Sequence, residues 1–282
     1  MTKEDGMVKT LMKGLVVGES PRWHDGRLWF SNWGVAQEIV AVDPQGNSEV
    51  IAKGPKAAGF CIDWLDGNLL VTGDDKVLRL EDGEWVTHAD VSHVAGALNE
   101  IVVDQQNIYV NDVGFRFGEE DFRPGTIVLV TPDGKARTVA EEIMFPNGMV
   151  VHGRTLIVAE SWAGRLTAFD IEDDGSLTNR RVWAPVGGDG ICLDDEGAIW
   201  TQDFTDDASR VLRVREGGEI TDRVELDAAC FACALGEGTL YMMVAEWQGI
   251  ERMGEMFQRH TGRVLTYDVR GLSSPRSTAA TS

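Results

Sequence analysis

Glu19, Asn99, Asn147 and Asp189 are two carboxylates and two amides that fall at one repeated position of this 282-residue chain. Each stands nine residues before the anchor of a second apolar run, at Leu28, Ile108, Leu156 and Ala198. Two further copies, anchored at Leu69 and Leu240, carry Phe60 and Phe231 at the same point. A residue opening a core strand is ordinarily apolar, so four oxygen donors at equivalent positions call for a chemical reason. Hard oxygen ligands suit Ca²⁺ first, with Mg²⁺ or Mn²⁺ as alternatives and waters completing the shell. Without a cation, two carboxylates brought together repel, and one is driven towards protonation. No His occupies the position, which argues against a dedicated zinc or copper site while leaving Zn²⁺ and Fe²⁺ open. The plainer alternative is a hydrogen-bonded polar channel filled with water.

The elements that must bring these residues together are the repeats themselves. Successive anchors are roughly 40 to 48 residues apart, the period of a propeller or solenoid. Each unit is a set of short alternating runs rich in β-branched and aromatic residues and punctuated by Gly and Asp. That composition predicts about four strands per unit. The fold class expected is therefore all-β, a six-bladed β-propeller forming one domain over residues 1–282. Met7 to Val17 precedes the first repeat and is expected to close the ring by pairing with Arg263 to Val269. Order is expected over about residues 7–270, with 271–282 a flexible tail. Two insertions, residues 114–125 and 247–260, follow second strands. Up-and-down strand order puts them on the side of the ring positions, where they can overhang a site.

A net charge of −20 excludes the basic face that nucleic acids and anionic membranes require, and otherwise serves solubility. No long apolar stretch opens the chain or reaches membrane-spanning length, so a cytoplasmic protein is expected, monomeric or weakly homo-oligomeric. Cys61, Cys192, Cys230 and Cys233 fall beside ring positions in predicted core strands, as reduced thiols would. Cys230 and Cys233 form a lone CxxC pair that no second pair or nearby His completes. The five His residues are scattered over turns and loops, and Ser161 lacks a nucleophile elbow.

Four motifs, each at its own repeat, carry a resemblance: Gly18-Glu19-Ser20-Pro21-Arg22-Trp23, the run Asn99 to Asp104, Phe145-Pro146-Asn147-Gly148-Met149, and Asp189 to Asp194. Together they resemble the regucalcin/gluconolactonase family of senescence marker protein type, over about residues 14 to 270. The resemblance implies one divalent metal ion in the axial channel, with Glu19, Asn147 and Asp189 as ligands. It implies that Asn99 binds substrate and water and that Asp189 is also the general base, a hydroxide held by the ion being the alternative. The implied activity is metal-dependent hydrolysis of a lactone. One departure stands out. Ala97 occupies a place where sugar-lactone members often have an Arg, and Glu100 one where Asp is common. Losing a guanidinium makes the pocket less polar. Phe60 and Phe231 complete the ring, and Trp33, Phe115, Trp162, Phe204 and Trp247 fall at its mouth; together they are expected to wall the substrate pocket, the alternative for at least half of them being inter-blade packing, and Glu100 is expected to contact substrate. A less hydroxylated lactone or ester is the expected small-molecule partner. The rival readings are a phosphotriesterase of the diisopropyl fluorophosphatase or paraoxonase type and a non-catalytic calcium-binding propeller.

Overall fold

Neighbouring residues of one strand are buried against different partners: Leu69 packs with Ile39 on the preceding repeat, and Leu70 with Ile101 and Ile108 on the following one. A strand whose two faces are both covered must belong to a sheet stacked between two others. In a computed structural model, residues 7–57, 59–116, 120–205 and 208–270 are described. They form six four-stranded antiparallel sheets arranged as blades, the first strand of the chain, β1 (Lys9–Leu15), belonging to the last of them. The first blade is β2 (Gly18–His24), β3 (Arg27–Asn32), β4 (Glu38–Val42) and β5 (Ser48–Lys53). The second is β6 (Ile62–Leu65), β7 (Asn68–Thr72), β8 (Lys76–Glu81) and β9 (Glu84–Asp90). The third is β10 (Leu98–Asp104), β11 (Asn107–Asp112), β12 (Gly125–Val130) and β13 (Ala136–Ile143). The fourth is β14 (Pro146–His152), β15 (Thr155–Glu160), β16 (Arg165–Ile171) and β17 (Leu177–Ala184). The fifth is β18 (Cys192–Leu193), β19 (Ile199–Thr205), β20 (Ala208–Val214) and β21 (Ile220–Leu226).

The sixth blade holds β22 (Ala229–Gly236), β23 (Thr239–Ala245) and β24 (Gly262–Asp268), with β1 outermost. β1 runs antiparallel to β24, Lys9 opposite Thr266 and Leu15 opposite Gly262. The innermost strands touch in the cyclic order β2, β6, β10, β14, β18, β22 and back to β2, so the six blades form a closed propeller. Its core is a set of apolar layers between successive blades. Tyr109 and Ile127 meet Leu156 and Phe169 between the third and fourth, and Leu28 and Phe30 meet Tyr241 and Met243 between the first and sixth. Tight hairpins join the strands. Asp66 and Gly67 both have positive φ, 50° and 77°, as a type I′ turn requires.

The second insertion carries a short turn of helix, α1 (Met253–Met256). It crosses to the first blade, where Val35 donates its N–H to the Phe257 carbonyl at 2.9 Å. Met256 is buried there with Val16, Val17 and Phe231. Of the first insertion, residues 117–119 lie outside the described residues, as do 271–282, on which the expectation of a flexible tail fell. No helix among the described residues is long and apolar enough to cross a membrane.

Candidate functional site

Each of the six repeated positions falls where the inner strand leaves the regular ladder. Register shifts interrupt pairing between Glu19 and Arg22, Leu98 and Ile101, Pro146 and Met149, and Cys230 and Ala232. These irregularities span Glu19, Asn99, Asn147 and Phe231. In the remaining two blades, Phe60 and Asp189 precede the first paired residue altogether. A bulge frees a side chain from the strict up–down alternation of a strand and re-aims it. Here it lets a core strand present a polar side chain at its start. Ser20, beside Glu19, has φ of 48°, and Phe145, two residues before Asn147, has φ of 59°.

Backbone released from the ladder still needs hydrogen-bond partners. In four of the six blades they come from a polar side chain three residues beyond the anchor, on the second strand. Ser31 Oγ donates to the Glu19 carbonyl at 3.0 Å. Thr72 Oγ1 accepts the Cys61 N–H at 2.8 Å and donates to the Asn99 carbonyl of the next blade at 3.0 Å. Asn111 accepts the Glu100 N–H at 3.0 Å and donates to the Asn147 carbonyl, again one blade on, at 2.7 Å. Thr201 Oγ1 accepts the Gly188 N–H at 3.0 Å. All four are wholly buried. Sequence reasoning missed them, although each shows as a polar residue at constant offset inside an apolar run.

Glu19 and Asp189 come together electrostatically. Burial, then the charge of Asp189, then that of Glu100, raise the Glu19 carboxyl well above its ordinary range. Burial and the Glu100 charge push Asp189 up to about 7, against a hydrogen bond from Asn147 that lowers it. Among the described residues neither carboxyl has a basic partner; the cation nearby is spent on Glu100. Arg22 Nη2 lies 3.0 Å from Glu100 Oε1 and 2.9 Å from the Ile101 carbonyl, and Ser20 Oγ donates to the same Oε1 at 3.1 Å. Glu100, expected at the substrate, is thus a buried ion-pair partner that braces the Glu19 strand. Arg22 had not been singled out. Asn99 donates Nδ2 to the Pro146 carbonyl at 3.2 Å, which links it to the strand of Asn147.

Those donors fit a hard divalent cation. Two carboxyls that burial and neighbouring negative charge hold above their usual range gain most from a positive charge between them. No three His, Cys, Asp or Glu side chains among the described residues form a metal cluster, so the amides of Asn147 and Asn99 would have to complete the set.

A cleft of about 300 Å³ opens beside Asp189, bounded by Ser161, Gly164, Pro185, Gly188 and Asp203. Asp203 pairs with Arg210 at 3.1 Å. A larger, shallower hollow of about 520 Å³ lies elsewhere, between Gln37, Lys56, Asp74 and Arg116, and no ring residue lines it. The aromatic residues expected to wall the pocket divide. Phe60 is wholly buried between the first two blades, where Trp33 donates to its carbonyl at 2.6 Å, and belongs to the core. Phe115 is buried against Phe122, Phe145 and Trp162. Trp162 is 46% exposed and Trp247 41%, the latter edge-on to Phe231. The Phe204 side chain lies outside the described residues. All four cysteines are free, and burial pushes the thiols of Cys61, Cys230 and Cys233 up, which keeps them protonated and inert.

A sequence model of the SMP-30/Gluconolactonase/LRE-like region matches residues 17–246, a span that holds all six ring positions. The chain belongs to that family. Among its relatives is the diisopropyl-fluorophosphatase of Loligo vulgaris, 34% identical over 87 residues, which are 27% of this chain and 28% of that protein. The match thus spans little more than a quarter of the relative's length. Among solved structures, luciferin-regenerating enzyme superposes with a TM-score of 0.78 at 19% identity, covering 94% of this chain and 96% of that one. The calcium-binding protein regucalcin of Agrobacterium tumefaciens gives 0.72 at 19% identity over the same shares. At such identities the likeness is one of fold.

Proposed function

We propose that this family member is a metal-dependent hydrolase that opens a lactone ring with an activated water. The observation that carries the reading is the pair Glu19 and Asp189, two raised carboxyls at the start of inner strands without a basic partner among the described residues, with the Asn147 amide hydrogen-bonded to Asp189 and Asn99 tied to the Asn147 strand. Glu19, Asn147 and Asp189 would hold a divalent ion, Ca²⁺ first among the candidates. Once bound, the ion supplies Lewis-acid polarisation of the ester carbonyl and lowers the pKa of water. Asp189 takes the proton from the attacking water, and Asn99 orients that water or the developing oxyanion. Arg22 pairs with Glu100 at 3.0 Å and so holds that side chain in an ion pair and away from the centre. The exposed faces of Trp162 and Trp247 suit an apolar substituent on the lactone, while the cleft beside Asp189, of mixed polar and apolar lining, suits the ring.

The test is hydrolysis of a lactone and ester panel by protein stripped of metal and reloaded separately with Ca²⁺, Mg²⁺, Mn²⁺, Zn²⁺ and Fe²⁺. Activity that returns with one ion, and is greater on alkyl or aryl lactones than on gluconolactone, is the expected result. Ion binding without turnover of any substrate would sink the hydrolase reading in favour of a non-catalytic cation-binding propeller. The stretch shared with diisopropyl-fluorophosphatase supports a second reading, hydrolysis of a phosphotriester at the same centre. Paraoxon in the same panel separates the two by relative kcat/KM.

A further inference from the structure

Asp189 sits in the one inner segment that is barely a strand, since pairing in its blade begins only at Cys192 and lasts two residues. Nevertheless every backbone polar group from Gly188 to Gly190 has a partner. The Gly188 N–H goes to Thr201 Oγ1 at 3.0 Å, and its carbonyl accepts from Ser161 Oγ at 2.8 Å. The Asp189 carbonyl accepts the Gly148 N–H of the fourth blade at 3.2 Å. The Gly190 N–H reaches the Phe231 carbonyl of the sixth at 2.8 Å. The Gly190 carbonyl accepts the Cys233 N–H, also of the sixth blade, at 3.2 Å. Only the Asp189 N–H is then left to a side chain, and the side chain that takes it bonds the Gly190 carbonyl as well. Gln202 Oε1 accepts from Asp189 at 2.9 Å, and Nε2 donates to Gly190 at 2.6 Å.

The geometry points to Gln202 as the positioning residue of Asp189, an inference that rests on the hydrolase reading above. Its place in the repeat makes the role specific. Four residues beyond their anchors, Asn32, Asp112 and Glu160 are its equivalents, and they hold the linkers ahead of the ring: the N–H groups of Val16, of Gly96 and Ala97, and of Met144. Only in the fifth blade does this side chain grip the ring residue itself. The grip requires a neutral group that donates and accepts at once. A carboxylate there would face the Gly190 carbonyl without a proton and add charge near Glu19, Glu100 and Asp189. Gln202 is wholly buried, so its amide has no water to turn to. Gly188 allows the approach, because a Cβ there would lie 2.7 Å from the Gln202 carbonyl oxygen and 2.9 Å from Oε1. A side chain that orients a metal-binding or catalytic group typically governs 10- to 100-fold of affinity or rate.

The test compares wild type with Gln202→Met, which keeps length and loses both bonds, by Mn²⁺ affinity, by kcat and KM separately, and by thermal unfolding. The expected result is Mn²⁺ affinity or kcat lower by about 10- to 100-fold with KM little changed, in protein that still unfolds cooperatively. A residue that merely fills the core would lower Tm and leave the affinity and kcat of folded protein within about twofold, and that outcome overturns the inference. If Gln202→Met does not fold, Gln202→Asn, one methylene too short to span both groups, carries the same comparison. Wild type that neither binds Mn²⁺ nor hydrolyses any lactone or ester overturns the hydrolase reading itself. A normal wild type with an unchanged variant overturns only the role of Gln202.

Discussion

Glu19 and Asp189 are acids whose folded form holds its protons more tightly than the unfolded chain does, and this fixes the sign of their pH dependence. Asp189 is raised to about 7 from an ordinary 3.8, and Glu19 moves the same way. Between those values the folded state binds more protons than the unfolded, so stability falls as pH rises, and the contribution of Asp189 levels off above about 7. Metal-stripped protein is therefore expected to lose Tm steadily from pH 5 to 7.5 in a thermal-shift series. Added Ca²⁺ or Mn²⁺ should restore it at pH 7.5 and have little effect at pH 5, where the ion must displace protons. A flat profile would show that burial does not hold the two carboxyls above their ordinary range. Asp189→Asn should flatten the slope and lower kcat by at least about 100-fold with the fold retained by circular dichroism. Turnover near that of wild type would remove Asp189 from the chemistry. At this scale the sequence was informative wherever a polar residue broke an apolar expectation at a fixed offset, as at Glu19 and Asn147. The commitment of Glu100 to Arg22 was not readable, because that pair joins the first blade to the third across 78 positions of chain.

The inner strands owe their functional side chains to irregularity, and the second strands make irregularity tolerable. Asn111 shows the arrangement most economically, tying the Glu100 N–H and the Asn147 carbonyl of successive blades with one buried amide. Replacing it by Leu keeps the volume and orphans both groups. That should cost about 1–3 kcal/mol in urea unfolding at unchanged m, and weaken ion binding as the Asn147 strand loosens. A loss below about 0.5 kcal/mol would mean that water replaces the amide, and that the cross-blade bond is dispensable. Repeat length and turn chemistry announced the blades and their hairpins. The depth of Phe60 was hidden for a physical reason: a ring position and an inter-blade packing position can be one residue apart where the chain enters a strand. Phe60 itself precedes the first paired residue of β6, so no ladder alternation in the sequence says which way its side chain turns.

The whole molecule is a circle of sheets, and every blade but one is a continuous stretch of chain. The exception is the sixth, where β1 supplies the outer strand against β24. Removing residues 7–15 should bare a β24 edge. The expected outcome is a broadened unfolding transition and self-association on gel filtration, reversed by adding the strand back as a peptide. A truncated protein that stays monomeric and unfolds as sharply as the full chain would show that closure contributes little. The six-fold count, the single ring and the early strand were legible because a period near 42 residues with alternating runs has few other solutions. The landing of the second insertion on Gly34 and Val35 was not, since nothing in Trp247 to His260 specifies a partner.

The sixth blade also leans on Asp189, through the Phe231 carbonyl that receives the Gly190 N–H and the Cys233 N–H that meets the Gly190 carbonyl. A ribosome must therefore translate past β24 before β1 finds its mate and this buttress is finished. Partly made chains would carry Glu19 and Asn147 without the brace that steadies Asp189, and competence would come late in synthesis, after most of the ring already exists.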